Sequence, residues 1–356
     1  MANGADYERA SDPWLSFASD GTAYLLSLVF SGATLASGST GAMLVVRSID
    51  GGQSWGPPST LISDGSAAFN DKGAIAADAT DARYVYAVWD RLTASGSGPT
   101  YFARTVDGGA SWEPARVIFD PGVSNQTIGN IPLSLPGGAL LVVFTEFDSV
   151  PAGSSATLKV IRSNDRGLSW SSPVTIAAEQ SAGIRDPNTG TLVRDGADLP
   201  AASVDQNGTV YVVWQSSVFS GGQRDAIALA RSTDAGLTWT MPTRVNGDPG
   251  SAAFIPNVQA RADGLIGVSY YDLRNNLAST GNFQADYWLA TSIDGSTWTD
   301  THVSGPFLLD GAPIAEGLFL GDYQALASSG SEFLPLFATS GADPNNRTDV
   351  FVAFGP

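Results

Sequence analysis

Acidic, arginine and aromatic side chains recur where the apolar segments of this chain end. The stretches AVWDR and YYDLR each finish with an aromatic residue, an aspartate and an arginine. Arginine guanidinium groups bind carboxylates through two parallel hydrogen bonds, and aromatic faces stack on sugar rings. The residues expected to contact a sugar or carboxylate substrate are Arg91, Arg347, Arg274, Lys72, Trp89, Trp214, Tyr271 and Asp272. Alternatively, these side chains form salt bridges that only order the ends of their own segments.

A short phrase lies between apolar runs at five places in the chain. It reads SIDGGQSW at 48–55, TVDGGASW at 105–112, SNDRGLSW at 163–170, STDAGLTW at 232–239 and, shortened, SIDGSTW at 292–298. Aspartate can accept hydrogen bonds from nearby backbone amides, and glycine readily adopts a positive φ. Each phrase therefore predicts a hairpin turn held by its aspartate, which is a structural role: Asp50, Asp107, Asp165, Asp234 and Asp294.

The spacing of the phrase predicts the fold. Successive aspartates are 57, 58, 69 and 60 residues apart in a chain of 356 residues, and a period of this size indicates a repeat architecture. Each unit has a small-residue strand, a turn, a more apolar strand and two strands around the phrase. We expect one all-β domain, a six-bladed β-propeller with four-stranded antiparallel blades. The blades are predicted at 11–62, 69–119, 126–177, 198–246, 254–304 and 320–356, the last closed by residues 3–10.

The two faces of such a propeller differ in their predicted use. The aspartate turns lie on one face, and the loops that enter each first strand or leave each second strand lie on the other. That second face collects the residues named above, together with acids such as Asp12 and Asp90. The polar segment 179–198 accounts for the longest step and adds Arg185 and Arg194. Long connections of this kind are commonly functional or disordered, and we expect this one to overhang the central cleft.

Composition excludes several classes of function. The net charge of −17, with Lys72 and Lys159 as the two lysines, argues against nucleic acid and anionic membrane surfaces as partners. No apolar run is long enough to span a membrane. The chain has no cysteine and a single histidine, His302, so cysteine chemistry and histidine clusters are excluded. We expect no metal and no cofactor, and we expect a monomer.

The phrase S/T-x-D-x-G-x-S/T-W resembles the Asp-box, or BNR, motif of bacterial sialidases and related β-propellers. Four copies fit it in full, and the copy at 292–298 is one residue short. The resemblance implies a secreted or cell-surface protein whose signal peptide is absent from this chain. Residues 1–13, MANGADYERASDP, contain no apolar run of the kind found in signal peptides.

The resemblance also implies catalytic roles. Sialidases use a tyrosine nucleophile paired with a glutamate, an aspartic acid as acid/base, and three arginines on the substrate carboxylate. Tyr323, in GDYQALA, stands where the family has its nucleophile, with Asp322 and Glu316 as nearby acids. The exit loop SGATLASGSTG carries no acid where the family has its acid/base, and Asp71 is the nearest substitute. The stretch ERASDPW stands where the family has Arg-Ile-Pro.

Three functions remain open on these residues. The first is a glycoside hydrolase acting on an acidic sugar, in which Tyr323, an acid and at least two of the arginines meet one ligand. The second is a non-catalytic propeller that binds a glycan or a protein, with exposed aromatic platforms and arginines paired to neighbouring acids. The third is a polysaccharide lyase. In the first case, and for a glycan-binding propeller, the expected partner is a carbohydrate or glycoconjugate.

Overall fold

The computed structural model describes residues 6–150, 153–276, 281–341 and 343–355. Six antiparallel sheets account for nearly all of its regular structure, and they are the blades of a six-bladed β-propeller. The fold predicted from the repeat is therefore confirmed. In the described part of the chain, no helix is long and apolar enough to cross a membrane. The chain divides into two compact units, residues 1–178 with 235–237, and residues 179–234 with 238–356.

The first unit contains three sheets, each of four strands in sequential order. Their strands are β1 (Arg9–Phe17), β2 (Ala23–Ser31), β3 (Thr40–Ser48) and β4 (Ser59–Asp64); β5 (Ala68–Ala77), β6 (Val85–Thr93), β7 (Thr100–Thr105) and β8 (Arg116–Phe119); and β9 (Gln126–Ser134), β10 (Leu140–Val150), β11 (Gly153–Ser163) and β12 (Val174–Glu179). Its core is built from second and third strands that are rich in apolar residues, such as AYLLSLVFS in β2.

The second unit contains two four-stranded sheets and one three-stranded sheet. Their strands are β13 (Ala201–Val204), β14 (Val210–Ser216), β15 (Ala226–Ser232) and β16 (Thr243–Arg244); β17 (Ala253–Ala260), β18 (Ile266–Asp272), β19 (Gln284–Ser292) and β20 (Thr299–Leu308); and β21 (Ala325–Ser329), β22 (Glu332–Ser340) and β23 (Thr348–Val352). Aromatic rings fill its core, where Tyr287 stacks on Phe337 with ring centroids 4.4 Å apart.

Residues 3–10 were predicted to close the sixth blade, but the described end of this segment pairs with the first sheet. Arg9 and Ala10 pair with Phe30 and Val29 in the first sheet. The backbone amide of Glu8 also donates to Ser31 Oγ at the edge of that sheet. Residues 3–5 of the segment lie outside the described residues. The described end of the segment thus belongs to the first blade, because its backbone groups are already used by β2.

Each repeated phrase forms a turn whose aspartate accepts several hydrogen bonds. In the second copy, Thr105 Oγ1 and the amide of Ser111 donate to Asp107 Oδ1 at 2.7 and 2.9 Å. Ser111 Oγ donates to Asp107 Oδ2 at 2.6 Å. These bonds hold the pKa of Asp107 at about 2, led by the Ser111 hydroxyl. The same pattern recurs at Asp50, Asp165, Asp234 and Asp294.

The first strand of several blades carries a bulge where a non-glycine residue has a positive φ. The register shifts after Ser11 in β1, after Asp71 in β5 and after Phe254 in β17. At these bulges φ is 51° for Asp12 and 50° for Lys72. Such conformations cost energy for residues with a Cβ and cluster at functional sites. In the first unit the bulges therefore mark where a site is to be sought.

Candidate functional site

Three aspartates surround Lys72 at the bulges of the first unit, and we call this group the aspartate–lysine cluster: Asp12, Asp71, Lys72 and Asp90. Lys72 Nζ lies 3.7 Å from Asp12 Oδ2, and both side chains are largely buried. The amide of Lys72 donates to Asp71 Oδ1 at 3.0 Å. Asp71 and Asp90 are direct cross-strand partners in β5 and β6, so their side chains lie on the same face of the sheet.

Asp90 is the buried member of the aspartate–lysine cluster. Its residue is 6% exposed, and its Oδ1 atom has no hydrogen-bond partner in the described structure. Burial raises the pKa of Asp90 well above its usual range, and the Asp71 carboxylate raises it further. Burial and the charge of Asp71 favour the protonated form of this carboxyl, whereas the charge of Lys72 opposes them. The cluster therefore pairs a buried carboxyl of raised pKa, Asp90, with the partly exposed Asp71 on the neighbouring strand.

Arg91 is already bound by a carboxylate of its own unit. Its Nε and Nη2 atoms donate to the two oxygens of Asp64 at 2.9 and 2.6 Å. The hydrogen bonds from Arg91 hold the pKa of Asp64 below its usual range. Asn70 also donates to Asp64, and its own carbonyl oxygen accepts a 2.8 Å bond from Trp89 Nε1. This network orders the end of the second blade, as the salt-bridge alternative for AVWDR describes.

In the second unit, the segment 179–198 is ordered against the segment that precedes β21. The amide of Leu318 donates to the carbonyl of Leu192 at 2.8 Å, and that of Arg194 to the carbonyl of Leu318 at 2.9 Å. A Cβ atom on Gly317 would meet Arg194 N at 2.7 Å, so this close approach requires glycine. Arg194 then binds both oxygens of Asp322, at 2.8 and 2.6 Å.

A second group of acids, which we call the four-carboxylate cluster, anchors the same segment: Glu179, Asp195, Asp198 and Asp225. Asp225 accepts hydrogen bonds from the amides of Ala182 and Gly183, each at 2.9 Å. Asp195 accepts from the amide of Ile184 at 2.7 Å. Burial raises the pKa of Glu179 to about 8, with further contributions from the other three acids. Its Oε1 atom is buried without a hydrogen-bond partner in the described structure.

Arg274 lies in a third network, at the end of β18. Its side chain donates to Asp272 and, at 2.8 Å, to Asp300 Oδ2. Its guanidinium group is stacked 3.6 Å from the centre of the Trp288 ring. Burial raises the pKa of Asp272 to about 6 even though Arg274 is its partner. Arg274 thus joins Arg91 and Arg194 as an arginine paired with acids of its own unit.

The aromatic residues expected to stack on sugar are core residues instead. Trp89, Trp214 and Tyr271 are 0, 1 and 0% exposed. Tyr271 donates its hydroxyl to the carbonyl of Ala338 at 2.7 Å and packs against Phe254. The stacking role expected from the sequence is therefore wrong for these three rings. They lie on central strands whose successive residues are buried, so neither face of these strands carries an exposed ring.

The remaining residues predicted to act lie at the surface or close to it. Tyr323 is half-buried and directly follows Asp322. Glu316 is exposed, with a φ of 60°. Arg347 is exposed, and so is Arg185, whose Nη1 atom donates to the carbonyl of Gly190 at 3.4 Å. Among the described residues, no group of three or more acids, histidines or cysteines is arranged to hold a metal ion.

The comparisons with known proteins agree on the fold. No family model matches the chain. A Hadza microbial sialidase superposes with a TM-score of 0.61 at 14% identity, over 98% of this chain and 66% of that one. An α-L-arabinanase from Penicillium chrysogenum superposes with a TM-score of 0.57 at 14% identity, over 99% and 96%. The fold is that of sialidase-like propellers.

The sequence comparison adds one distant relative. A xyloglucanase from a Paenibacillus species is 24% identical over 266 residues, which are 70% of this chain and 23% of the relative. The chain thus spans less than a quarter of the length of that curated protein. These similarities place the chain among propellers whose architecture glycoside hydrolases share, and they assign it no substrate.

Two groups of residues were not singled out from the sequence. Asp12 and Asp90 stood among the acids of the loop face, but nothing in the sequence distinguished them from acids that are solvated. The cross-strand register that pairs Asp90 with Asp71 is the missing information. Glu179 ends β12 and meets Asp195 and Asp198 only because the segment 179–198 folds back on itself. An acid at the end of an apolar strand, as in VTIAAEQ, was the available signal.

Proposed function

We propose that the protein is a glycoside hydrolase whose acid/base group is Asp71. The observation that carries this proposal is the aspartate–lysine cluster, in which the partly exposed carboxyl of Asp71 lies across from the buried carboxyl of Asp90, whose pKa is raised. Glycosidases use carboxyl groups in different protonation states, and burial with a like-charged neighbour separates their pKa values. The glycosidase names of the sialidase and arabinanase neighbours and of the xyloglucanase relative support the same class.

Each residue of the aspartate–lysine cluster has a proposed role. Lys72 pairs with Asp12 and balances its charge. Asp90, the buried cross-strand partner of Asp71, acts as a positioning residue. Asp71 is the member placed to exchange a proton with a glycosidic oxygen, because it lies on the first strand of its blade and is only partly buried. It would give the proton in its protonated form and, as the carboxylate left behind, would take one back from the attacking water. General acid catalysis of this kind contributes about 10²- to 10⁴-fold in rate.

The substrate sugar is proposed to be acidic, as the arginines of the sequence indicate. Arg185 supports this, since it is exposed and its side chain donates only to a backbone carbonyl in the described structure. Arg91, Arg194 and Arg274 support it less, because each is bound by acids of its own unit. In the second unit, Tyr323 keeps the nucleophile role that the family resemblance implies, as a separate proposal that is tested by its own variant.

The test is hydrolysis of fluorogenic glycosides that include α-sialosides, uronides, glucosides and arabinofuranosides. We expect Asp71→Asn to lower kcat by at least 10²-fold on whichever glycoside wild type hydrolyses. The matched control is Asp120→Asn, an exposed aspartate of the same unit. Full activity in Asp71→Asn would refute its role as acid/base. If wild type turned over no glycoside, the hydrolase proposal would fail and binding to a glycan array would test the non-catalytic alternative. Loss of activity in Tyr323→Phe would support the tyrosine nucleophile.

A further inference from the structure

We propose that the free edge of the sixth sheet binds an extended segment of a second polypeptide as a fourth strand. Five sheets have four strands each, whereas the described part of the sixth has three, with β23 at its outer edge. The outer strands β4, β8, β16 and β20 each run antiparallel to the third strand of their sheet, so they show how an added strand would pair with β23. This interaction goes beyond the proposed hydrolase function and does not depend on it.

The backbone of β23 leaves a row of hydrogen-bonding groups unused. The amide of Ala353 donates to the carbonyl of Pro335 at 3.0 Å, which continues the pairing of β23 with β22. The direction of these bonds alternates along an antiparallel strand, so every second residue before Ala353 also bonds to β22. The amides and carbonyls of Thr348, Val350 and Val352 therefore point to the free edge. In the described part of the chain these six groups have no backbone partner.

The side chains along this edge are apolar and exposed. Val350 and Val352 are 72 and 41% exposed, and Leu336, the cross-strand partner of Val352, is 42% exposed. The three side chains lie on one face of the sheet, because side chains alternate along a strand and cross-strand partners share a face. Natural proteins commonly protect an open edge with lysine, proline or a bulge. β23 reads TDVFV in regular register and has none of these, so its edge is open to another strand.

The residues of the edge indicate which segment would bind. Asp349 is exposed, and no residue of β23 is basic. Opposite charges that face each other across an antiparallel pair are stabilising, and so are apolar pairs. The occupant is therefore an extended segment with apolar residues opposite Val350 and Val352 and a lysine or arginine opposite Asp349. Its main-chain hydrogen bonds would give affinity, and its alternate side chains would give specificity.

A second copy of this chain fits the edge less well than such a segment. Each copy carries a net charge of −17, which opposes association. Two β23 strands paired with each other would place no basic residue of either strand opposite Asp349. Pairing Asp349 with Arg347 of the other copy would set Val352 opposite Pro344, which has no amide proton to donate.

The test uses a synthetic peptide with the expected pattern, Ser-Gly-Val-Tyr-Val-Lys-Thr-Gly-Ser. In antiparallel order its Val-Tyr-Val-Lys-Thr core lies opposite residues 352 to 348. Binding of the fluorescein-labelled peptide to wild type and to Val350→Pro is measured by fluorescence anisotropy. Proline removes an amide that faces the free edge and leaves the bonds to β22 in place. The controls are Met241→Ala, which removes an exposed side chain of the same unit, and a peptide with proline in place of its second valine.

A charge exchange tests the predicted partner of Asp349 without proline. Asp349→Lys is measured with the same peptide and with a version that carries glutamate in place of lysine. We expect Asp349→Lys to prefer the glutamate peptide and wild type to prefer the lysine peptide, since opposite charges would then face each other. The same preference in both proteins would overturn the predicted pairing.

We expect the lysine peptide to bind wild type and Met241→Ala equally, and about tenfold more weakly to Val350→Pro, because one backbone donor is lost. The proline peptide should bind wild type more weakly by a similar factor. No binding to wild type, or equal binding to wild type and Val350→Pro, would overturn the proposal.

Two further measurements decide between occupants. Sedimentation of wild type should show a monomer, and a dimer that Val350→Pro abolishes would overturn the proposal in favour of a second copy. Deletion of residues 1–5, which lie outside the described residues, should leave the affinity for the lysine peptide unchanged. A gain of about tenfold on deletion would overturn the proposal, because the chain itself would then compete for the edge.

Discussion

Replacing Glu179 with glutamine tests the four-carboxylate cluster through the pH dependence of stability. Burial and the neighbouring acids raise the pKa of Glu179 from its ordinary value of 4.5 to about 8. The pKa of Glu179 is higher in the folded protein than in the unfolded chain. Below pH 4.5 the carboxyl is protonated in both states, so its full contribution to the free energy of unfolding is present. It is lost progressively as the pH rises from 4.5 to 8.

The size of the effect follows from that interval. A change of one unit in pKa corresponds to about 1.36 kcal/mol, so the interval from 4.5 to about 8 corresponds to roughly 5 kcal/mol. Glu179 is only half-buried, and solvent screening reduces the figure to about 2 kcal/mol. Glutamine resembles the neutral acid and does not ionise. Relative to wild type, Glu179→Gln should therefore gain about 2 kcal/mol in free energy of unfolding between pH 4.5 and pH 8.

The assay is urea unfolding at pH 4.5, 6 and 8, followed by tryptophan fluorescence, with the free energy of unfolding extrapolated to water. The control is Glu332→Gln, an exposed glutamate of the same unit. Its free energy of unfolding should follow that of wild type at all three pH values. If the free energy of unfolding depended on pH in the same way for wild type and Glu179→Gln, the reasoning would be refuted. Glu179 would then have the same pKa in the folded protein as in the unfolded chain.

Two further predictions concern a turn and a segment. Asp107→Ala should lower the melting temperature by a few degrees at pH 7, because it removes the acceptor of the Thr105 and Ser111 bonds. The difference in melting temperature between wild type and Asp107→Ala should narrow as the pH falls from about 4 towards 2, because Asp107 of the folded protein becomes protonated there. A difference that stays constant over this range would contradict the prediction. Arg194→Gln should speed hydrogen exchange at the amides of Arg194 and Leu318, whereas Arg185→Gln should leave it unchanged. Equal exchange in both variants would show that the Arg194 ion pair does not hold the segment.

The fold was predictable because it is encoded locally and repeated. Each phrase carries its own turn chemistry: Thr105 and Ser111 lie beside Asp107 in sequence and bind it in the structure. Apolar strands such as those of blade two, flanked by turn residues, indicate sheets without knowledge of distant contacts. The three-stranded sixth sheet was not predicted in this form, since the partners of Arg9 and Ala10 depend on register and not on local sequence.

The candidate site was predictable in composition but not in geometry. Tyr323, Asp322 and Asp71 were selected through the family resemblance and Lys72 by residue type, and the structure adds the partners of Lys72 and Asp322. The partnering of Arg194 with Asp322 joins residues 128 positions apart, which no local pattern shows. Whether an aromatic ring is a platform or part of the core depends on how sheets pack over its strand. Trp89 was misjudged because β6 is buried at every residue from Val85 to Asp90.

The sequence by itself determined the number of blades, the aspartate turns and the set of acids and arginines available for chemistry. Hydrogen bonds within a few residues and the spacing of apolar runs are sufficient for these features. Only the tertiary structure decided which acids have a raised pKa and which arginines are already paired. The raised pKa values of Asp90 and Glu179 depend on burial beside other carboxyls. Burial arises when strands and segments distant in sequence pack together, and the order of residues alone does not state it.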